Sequence, residues 1–184
     1  MNNFWASDDI TFANQKRNKK AEINRLQTIG LIDSIGGLHG NVLDIGSRNF
    51  FTEVLERKYN IEIDSTSCDL DEGLTSPKSH YDFVHYNNVV EHQFNPLLTL
   101  LEIKKILKSD GMLILGCPLK PKWITSAKCH FHEFDEYTYQ ELIKRAGFKE
   151  VKRIHFYKQL SVNGIRGIFG SFFKRQVVAI LMAN

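Results

Sequence analysis

The apolar positions of this chain change their period several times, and each change marks an element. From Ala21 onward, Ile23, Leu26, Ile29, Leu31 and Ile32 recur at roughly helical spacing until Gly36-Gly37 interrupt them. The run Val42-Leu43-Asp44-Ile45 then predicts a strand over 41–45 that breaks at Gly46. Residues 51–59 return to a helix-compatible pattern. A strand, a tight turn and a helix in this order bring a nucleotide-like ligand to backbone N–H groups at a helix N-terminus.

Further along, Ile61 and Ile63 lead to Cys68-Asp69-Leu70-Asp71, predicting a second strand over 61–68 with acids at its carboxyl end. Gly73 to Ser79, with Pro77, is turn-rich, and 81–86 is another strand ending at Asn87-Asn88. Pro96 opens an amphipathic helix carrying Leu97, Leu100, Leu101, Ile103, Ile106 and Leu107 on one side. Lys108-Ser109-Asp110-Gly111 reads as a helix stop and turn, and 112–115 as a short strand covered on both faces. A long loop is expected over 116–134, a helix over 137–146 closed by Gly147, and strands at 151–157 and 177–182. This alternation predicts an α/β fold with a mainly parallel sheet.

Composition narrows the class without naming a partner. With 184 residues, 42% hydrophobic and 24% charged, the chain suits one globular domain with a sizeable core. A net charge of +3 is too slight to argue for nucleic acid, and the basic cluster within 16–20 is read as the solvated end of a loose arm. Cys68, Cys117 and Cys129 are odd in number and lack metal spacing, which suits reduced thiols in a cytoplasmic protein. Neither a secretory signal nor a membrane span is expected.

Three stretches together resemble class I S-adenosylmethionine-dependent methyltransferases of the small-molecule type. Val42-Leu43-Asp44-Ile45-Gly46 is similar to the family's first motif. The stretch from Tyr81 through Glu91-His92, the helix from Pro96, and Ser109-Asp110-Gly111 through Cys117-Pro118 resemble its fourth strand, following helix and fifth strand. His130 to Phe134, then Leu142 through Gly147-Phe148, resemble the helix after the sheet; the match spans about residues 40–155. The resemblance implies a Rossmann-like doubly wound, mostly parallel sheet with an antiparallel last strand. Residues 1–40 would form an N-terminal arm and helix, and 41–184 the methyltransferase-like part of a single domain.

Two departures stand out. The family loop usually carries three glycines; only Gly46 remains, with Arg48 and Phe50 in the other two places. Arg48 either obstructs the cofactor's methionine end or pairs with its carboxylate. Moreover, only eleven residues separate Asp69 from Tyr81, too few for the usual helix, strand and loop. This contraction either leaves Asp69 at the end of the second strand with the third strand lost, the reading we favour, or degrades the second strand itself.

The resemblance implies S-adenosylmethionine as cofactor, held by Asp44, Gly46, Ser47, Arg48, Asp69, Leu70, Asn87 and Asn88. Asp69, or Asp71 in its stead, would accept hydrogen bonds from ribose hydroxyls, while Asn87 and Asn88 offer donors and acceptors. Glu91, His92 and His132 are the candidate catalytic residues, His92 as a base for an acceptor hydroxyl. No metal site is expected, because Cys129-His130-Phe131-His132-Glu133 lacks further ligands at motif spacing. Cys117-Pro118 is read as packing rather than as a nucleophile, and Gly-x-Gly-x-x-Gly, the dinucleotide-site spacing, is absent. The basic, aromatic segment 164–175 is read as a packed connection or dimer contact, and the oligomeric state stays open. The expected activity is methyl transfer to a small hydroxyl- or amine-bearing acceptor, such as a sugar or surface-polysaccharide precursor. The alternative is an inactive, methyltransferase-like binding or partner protein whose pocket has been closed.

Overall fold

The computed structural model describes residues 19–66, 68–119, 130–157 and 175–184. The elements run α1 (Lys19–Asp33), β1 (Val42–Asp44), α2 (Phe50–Tyr59), β2 (Ile63–Ser65), β3 (Tyr81–Asn87), α3 (Pro96–Ile106), β4 (Leu107–Leu119), α4 (Glu136–Arg145), β5 (Phe148–Tyr157) and β6 (Arg175–Ala183). A 3₁₀ turn, Val90–His92, sits between β3 and α3. The expected arm before residue 19, Cys129 and most of segment 164–175 lie outside the described residues.

Six strands form one sheet in the order β2-β1-β3-β4-β6-β5. β1 pairs in parallel with β2 and β3, β3 with β4, and β6 runs antiparallel to both of its neighbours. The last strand is therefore the single reversed one among those described, as the resemblance implied. Alternate residues of each strand feed two cores. Leu43, Val84, Tyr86 and Leu113 pack under α3 and α4, whereas Val42, Phe83, Ile114 and Ile180 pack under α1 and α2. A sheet covered on both faces has no polar side, which is why the central strands read as nearly unbroken apolar runs.

Local chemistry sets the helix starts. Asn49 accepts from Phe51 N and Thr52 N, and Thr52 Oγ1 accepts from Asn49 N, so a capping box begins α2 one residue earlier than its apolar pattern indicates. Asn95 caps α3 ahead of Pro96, and Asp135 and Thr138 form a second capping box at α4.

Three expectations need correction. Residues 108–111 are not a turn between elements: β4 already begins at Leu107 and contains them. Between the pairs Tyr81–Leu107 and Phe83–Met112, β3 advances two residues while β4 advances five. The surplus is accommodated as a bulge with Ser109 and Asp110 exposed. β2 is also shorter than 61–68, and Asp69 does not end it. The strand stops at Ser65, and Asp69 Oδ1 instead accepts from Asp71 N at 3.0 Å, a local turn that competes with strand pairing. Finally, 116–119 belong to β4 rather than to the loop, and Phe134 bridges back to Leu119. The contraction itself holds: no strand occurs between β2 and β3 among the described residues.

The amino end of the sheet is pinned by Asp82. Its carboxylate accepts from Asn41 N and Lys108 Nζ, both at 2.7 Å. Burial disfavours the charged form, but the Lys108 ammonium and the Asn41 N–H outweigh it and lower the pKa below its ordinary 3.8. A carboxylate with a lowered folded-state pKa contributes stability above that ordinary value, and the contribution fades as pH falls through the folded value. Asp82→Asn should thus cost stability at neutral pH, and the gap to the parent protein should close near about pH 2 in urea melts. A gap of equal size at both pH values would show that charge is not its source.

Candidate active site

β1 and β3 are neighbours whose chains leave in opposite directions, β1 towards β2 and β3 towards β4. In an open α/β sheet, that switch point opens a crevice at the carboxyl ends of the strands.

Asp44 closes β1 and is buried, with both oxygens engaged. Oδ2 accepts from Thr52 Oγ1 at 2.5 Å, and Oδ1 lies 2.8 Å from Nδ1 of the equally buried His85 on β3. The carboxylate thereby ties β1 to the first turn of α2 and to β3, and Phe51 lies edge-on to the His85 ring at 5.6 Å. Gly46 follows with φ +115°, a conformation that only glycine adopts cheaply, and its N–H donates to Thr66 Oγ1 at 2.7 Å. The loop is anchored again where Ser47 O accepts from Asn49 Nδ2.

The two residues that replace family glycines point elsewhere. Arg48 makes a two-pronged ion pair with Glu56, with Nη1 at 2.7 Å from Oε1. This hydrogen-bonded pairing raises the Arg48 pKa and lowers that of Glu56, whose Oε1 also accepts from Ile63 N. Phe50 is exposed on the first turn of α2, with the Arg25 guanidinium 5.2 Å from its ring centre.

On the other side of the crevice, Asn87 ends β3 and pairs with Gly116 on β4. A Cβ on Gly116 would lie 1.9 Å from Asn87 Oδ1, so the Asn87 amide occupies the space the glycine leaves. Asn88 has φ +57°, and its Oδ1 accepts from Gln176 Nε2 at 3.0 Å. Gln176 Oε1 accepts in turn from Asn24 Nδ2. Asp69 is exposed, Leu70 is buried in the core, and Asp71 accepts from Phe94 N and Asn95 N, which joins that loop to the start of α3.

Glu91 and His92 lie on the 3₁₀ turn just past β3. The chain returns there after β4: Phe131 N and His132 N donate to Glu91 O at 3.0 and 3.1 Å. This brings His130 edge-on to His92, with ring centres 4.8 Å apart. His132 stands apart from that pair, donating through Nε2 to the Phe94 carbonyl and stacking on Phe134. Phe94 and Phe131, both exposed, lie 3.9 Å apart at the mouth. Cys117 is fully buried, and burial first, then the charges of Glu91 and Glu136, push its thiol well above the usual range. It is packing, not a thiolate nucleophile.

Several members of this constellation escaped the sequence reading. Asn49 and Thr52 were legible as a capping box, since the spacing is the motif itself. His85, Thr66, Gln176 and Asn24 carry no local signal, because their partners are brought to them by other elements.

A family model described as a methyltransferase domain matches residues 9–153. No relative is found among curated proteins. Among solved structures, the fold is similar to N-methyltransferase NodS from Bradyrhizobium japonicum in complex with S-adenosyl-L-homocysteine, with TM-score 0.65, 17% identity, and 97% of this chain and 94% of that one covered. It is similar to a S-adenosylmethionine-dependent methyltransferase from Archaeoglobus fulgidus, with TM-score 0.61, 17% identity, and coverage of 85% and 93%. A third is the 1,6-didemethyltoxoflavin-N1-methyltransferase of Burkholderia thailandensis with bound 1,6-didemethyltoxoflavin and S-adenosylhomocysteine, with TM-score 0.58, 14% identity, and coverage of 87% and 78%.

Proposed function

The chain belongs to the methyltransferase-domain family, whose methyl donor is S-adenosylmethionine, and we propose that it methylates a small hydroxyl- or amine-bearing acceptor, a sugar or surface-polysaccharide precursor. The observation that carries this reading is the switch in strand order between β1 and β3, with Gly46 just after one strand and Asn87, over Gly116, at the end of the other.

The residues present fit the cofactor. A glycine at φ +115° leaves backbone bare at the turn, and the space above Gly116 is filled by an amide rather than a hydrocarbon. In this reading, Asp44 holds the loop, Gly46 to Arg48 line it with backbone, Asp69 and the Leu70 backbone face the ribose side, and Asn87 and Asn88 close the far side. Once bound, the donor supplies a methyl group on a positively charged sulfur, so positioning and water exclusion supply much of the remaining catalysis. Glu91 and His92 stand on the acceptor side, where the acceptor's proton must be lost, and His132 fixes the rim through Phe94. The exposed Phe94–Phe131 pair offers an apolar platform of the kind that suits the flat face of a sugar ring. Against the inactive alternative, the Arg48 guanidinium is paired with Glu56, and the Arg25 guanidinium lies 5.2 Å from the Phe50 ring centre.

Calorimetric titration of the full chain with S-adenosylhomocysteine should give saturable binding in the micromolar range. Arg48→Ala should change that affinity by less than about threefold, the scale of an exposed ion pair. A flat titration at millimolar ligand would sink the enzyme reading. Label transfer from methyl-labelled S-adenosylmethionine to non-sugar acceptors only would overturn the sugar assignment.

A further inference from the structure

We propose that Glu91, His92 and His130 together bind one divalent transition-metal ion at the mouth of the crevice. The three residues come from segments 38 positions apart (His92 to His130), so no spacing in the sequence announces them. In the fold, each contributes one ligand-type atom, and these atoms all lie within 4.8 Å of one another. Glu91 is buried, and the His92 and His130 side chains are 18% and 13% exposed, shielded yet reachable. The two segments are fastened together by the bonds from Phe131 N and His132 N to Glu91 O, so the donors are held close by backbone.

The donor set selects the ion. Two imidazoles and one carboxylate favour borderline cations such as Zn²⁺, Co²⁺ or Ni²⁺ over Mg²⁺ and Ca²⁺, which prefer all-oxygen shells. Metal–nitrogen bonds of about 2.0–2.1 Å require donors closer than those of the metal-free chain, so the set contracts by about an ångström on binding. His92 Nε2 already faces Glu91 Oε1 across 3.8 Å. His130 Nδ1 lies 3.4 Å from Glu133 Oε1, so a carboxylate stands beside the ring that would ligate the cation. That is the carboxylate–histidine–metal arrangement by which outer carboxylates orient a ligand ring.

Three protein ligands leave at least one position open, the mark of a catalytic rather than a structural site. An acceptor hydroxyl seated there ionises at lower pH and releases its proton to solvent. This purpose rests on the methyl-transfer reading; the binding itself does not.

The test uses untagged, chelator-treated full-length protein titrated with CoCl₂ and followed by visible absorption, with ZnCl₂ in competition. The expected result is one equivalent of Co²⁺ with the intense bands of a four- or five-coordinate site, displaced by Zn²⁺. His92→Gln and His130→Gln should each abolish the bands, while Glu133→Gln should weaken binding by about 10- to 100-fold. Urea melts of each variant separate loss of a ligand from loss of the fold. Absence of a stoichiometric ion, or bands unchanged in both histidine variants, overturns the proposal. S-adenosylhomocysteine titration of the same samples keeps the two readings apart. Cofactor binding without a metal sinks the cation site alone, and a metal without cofactor binding sinks the methyl-transfer reading alone.

Discussion

Asp44→Ala should cost about 3–5 kcal/mol of stability and abolish S-adenosylhomocysteine binding, because it orphans two buried partners at once. Thr52 Oγ1 and His85 Nδ1 lie 2.5 and 2.8 Å from the two carboxylate oxygens, and both lose that partner. His85 is already demanding, since its Nε2 is buried without a hydrogen-bond partner. Removing the carboxylate therefore leaves a wholly unsatisfied imidazole beneath α2 and frees the first turn of that helix from β1. The Gly46 loop, which hangs between those two elements, loses its frame. Asp44→Asn is the informative control. An amide keeps the shape and one acceptor oxygen, so it should retain the fold with a smaller loss. Urea denaturation and calorimetry measure both effects. An Asp44→Ala protein within about 1 kcal/mol of the parent would show that the buried pair contributes little beyond its own desolvation cost.

Gly116→Ala should reduce cofactor affinity by at least about tenfold while costing about 1–3 kcal/mol in stability. The added Cβ falls 1.9 Å from Asn87 Oδ1 and 3.1 Å from Val178 Cγ2. Val178 belongs to the core under α1, so it yields little, and the Asn87 amide must turn out of its place. The comparison with Asn87→Ala makes the argument testable. If the glycine matters because it seats Asn87, adding Gly116→Ala to Asn87→Ala should cost almost no further affinity, a non-additivity that residues in contact display. Full affinity in the single Gly116→Ala variant would remove Asn87 from the cofactor site.

The chemistry of single positions explains which parts of this protein were readable in advance. Strands β1 and β3 and residues 112–115 of β4 announced themselves because burial on both faces favours nearly continuous apolar runs. α3 did so through its apolar positions and a proline at its first turn, and α4 through the glycine that closes it. The excursion at 108–111 was misread because Lys-Ser-Asp-Gly has turn chemistry in any context, and only pairing with Tyr81 and Phe83 makes it a bulge. Asp69 was placed at a strand end because acids follow strands at such sites, yet its own side chain folds the chain into a turn four residues beyond Ser65.

Arg48 shows the same limit from the other direction. Its replacement of a glycine posed a choice between plug and ligand partner, and both options assumed a side chain facing the crevice. Glu56 lies two helical turns along α2 and captures the guanidinium, an outcome fixed by helix geometry rather than by the loop.

By itself, then, the sequence determined the α/β class, the reversed last strand through its resemblance, the lost third strand and the family, since periodicity, chain length and contiguous motifs are local properties. Tertiary structure alone decided what meets at the crevice. Asp44 with His85, Gly116 beneath Asn87, Gln176 beside Asn88, and His130 against Glu91 and His92 are pairs joined by the order of strands in the sheet. Distance along the chain carries no record of that order, because hydrogen bonds between strands are indifferent to how far apart their residues lie in sequence.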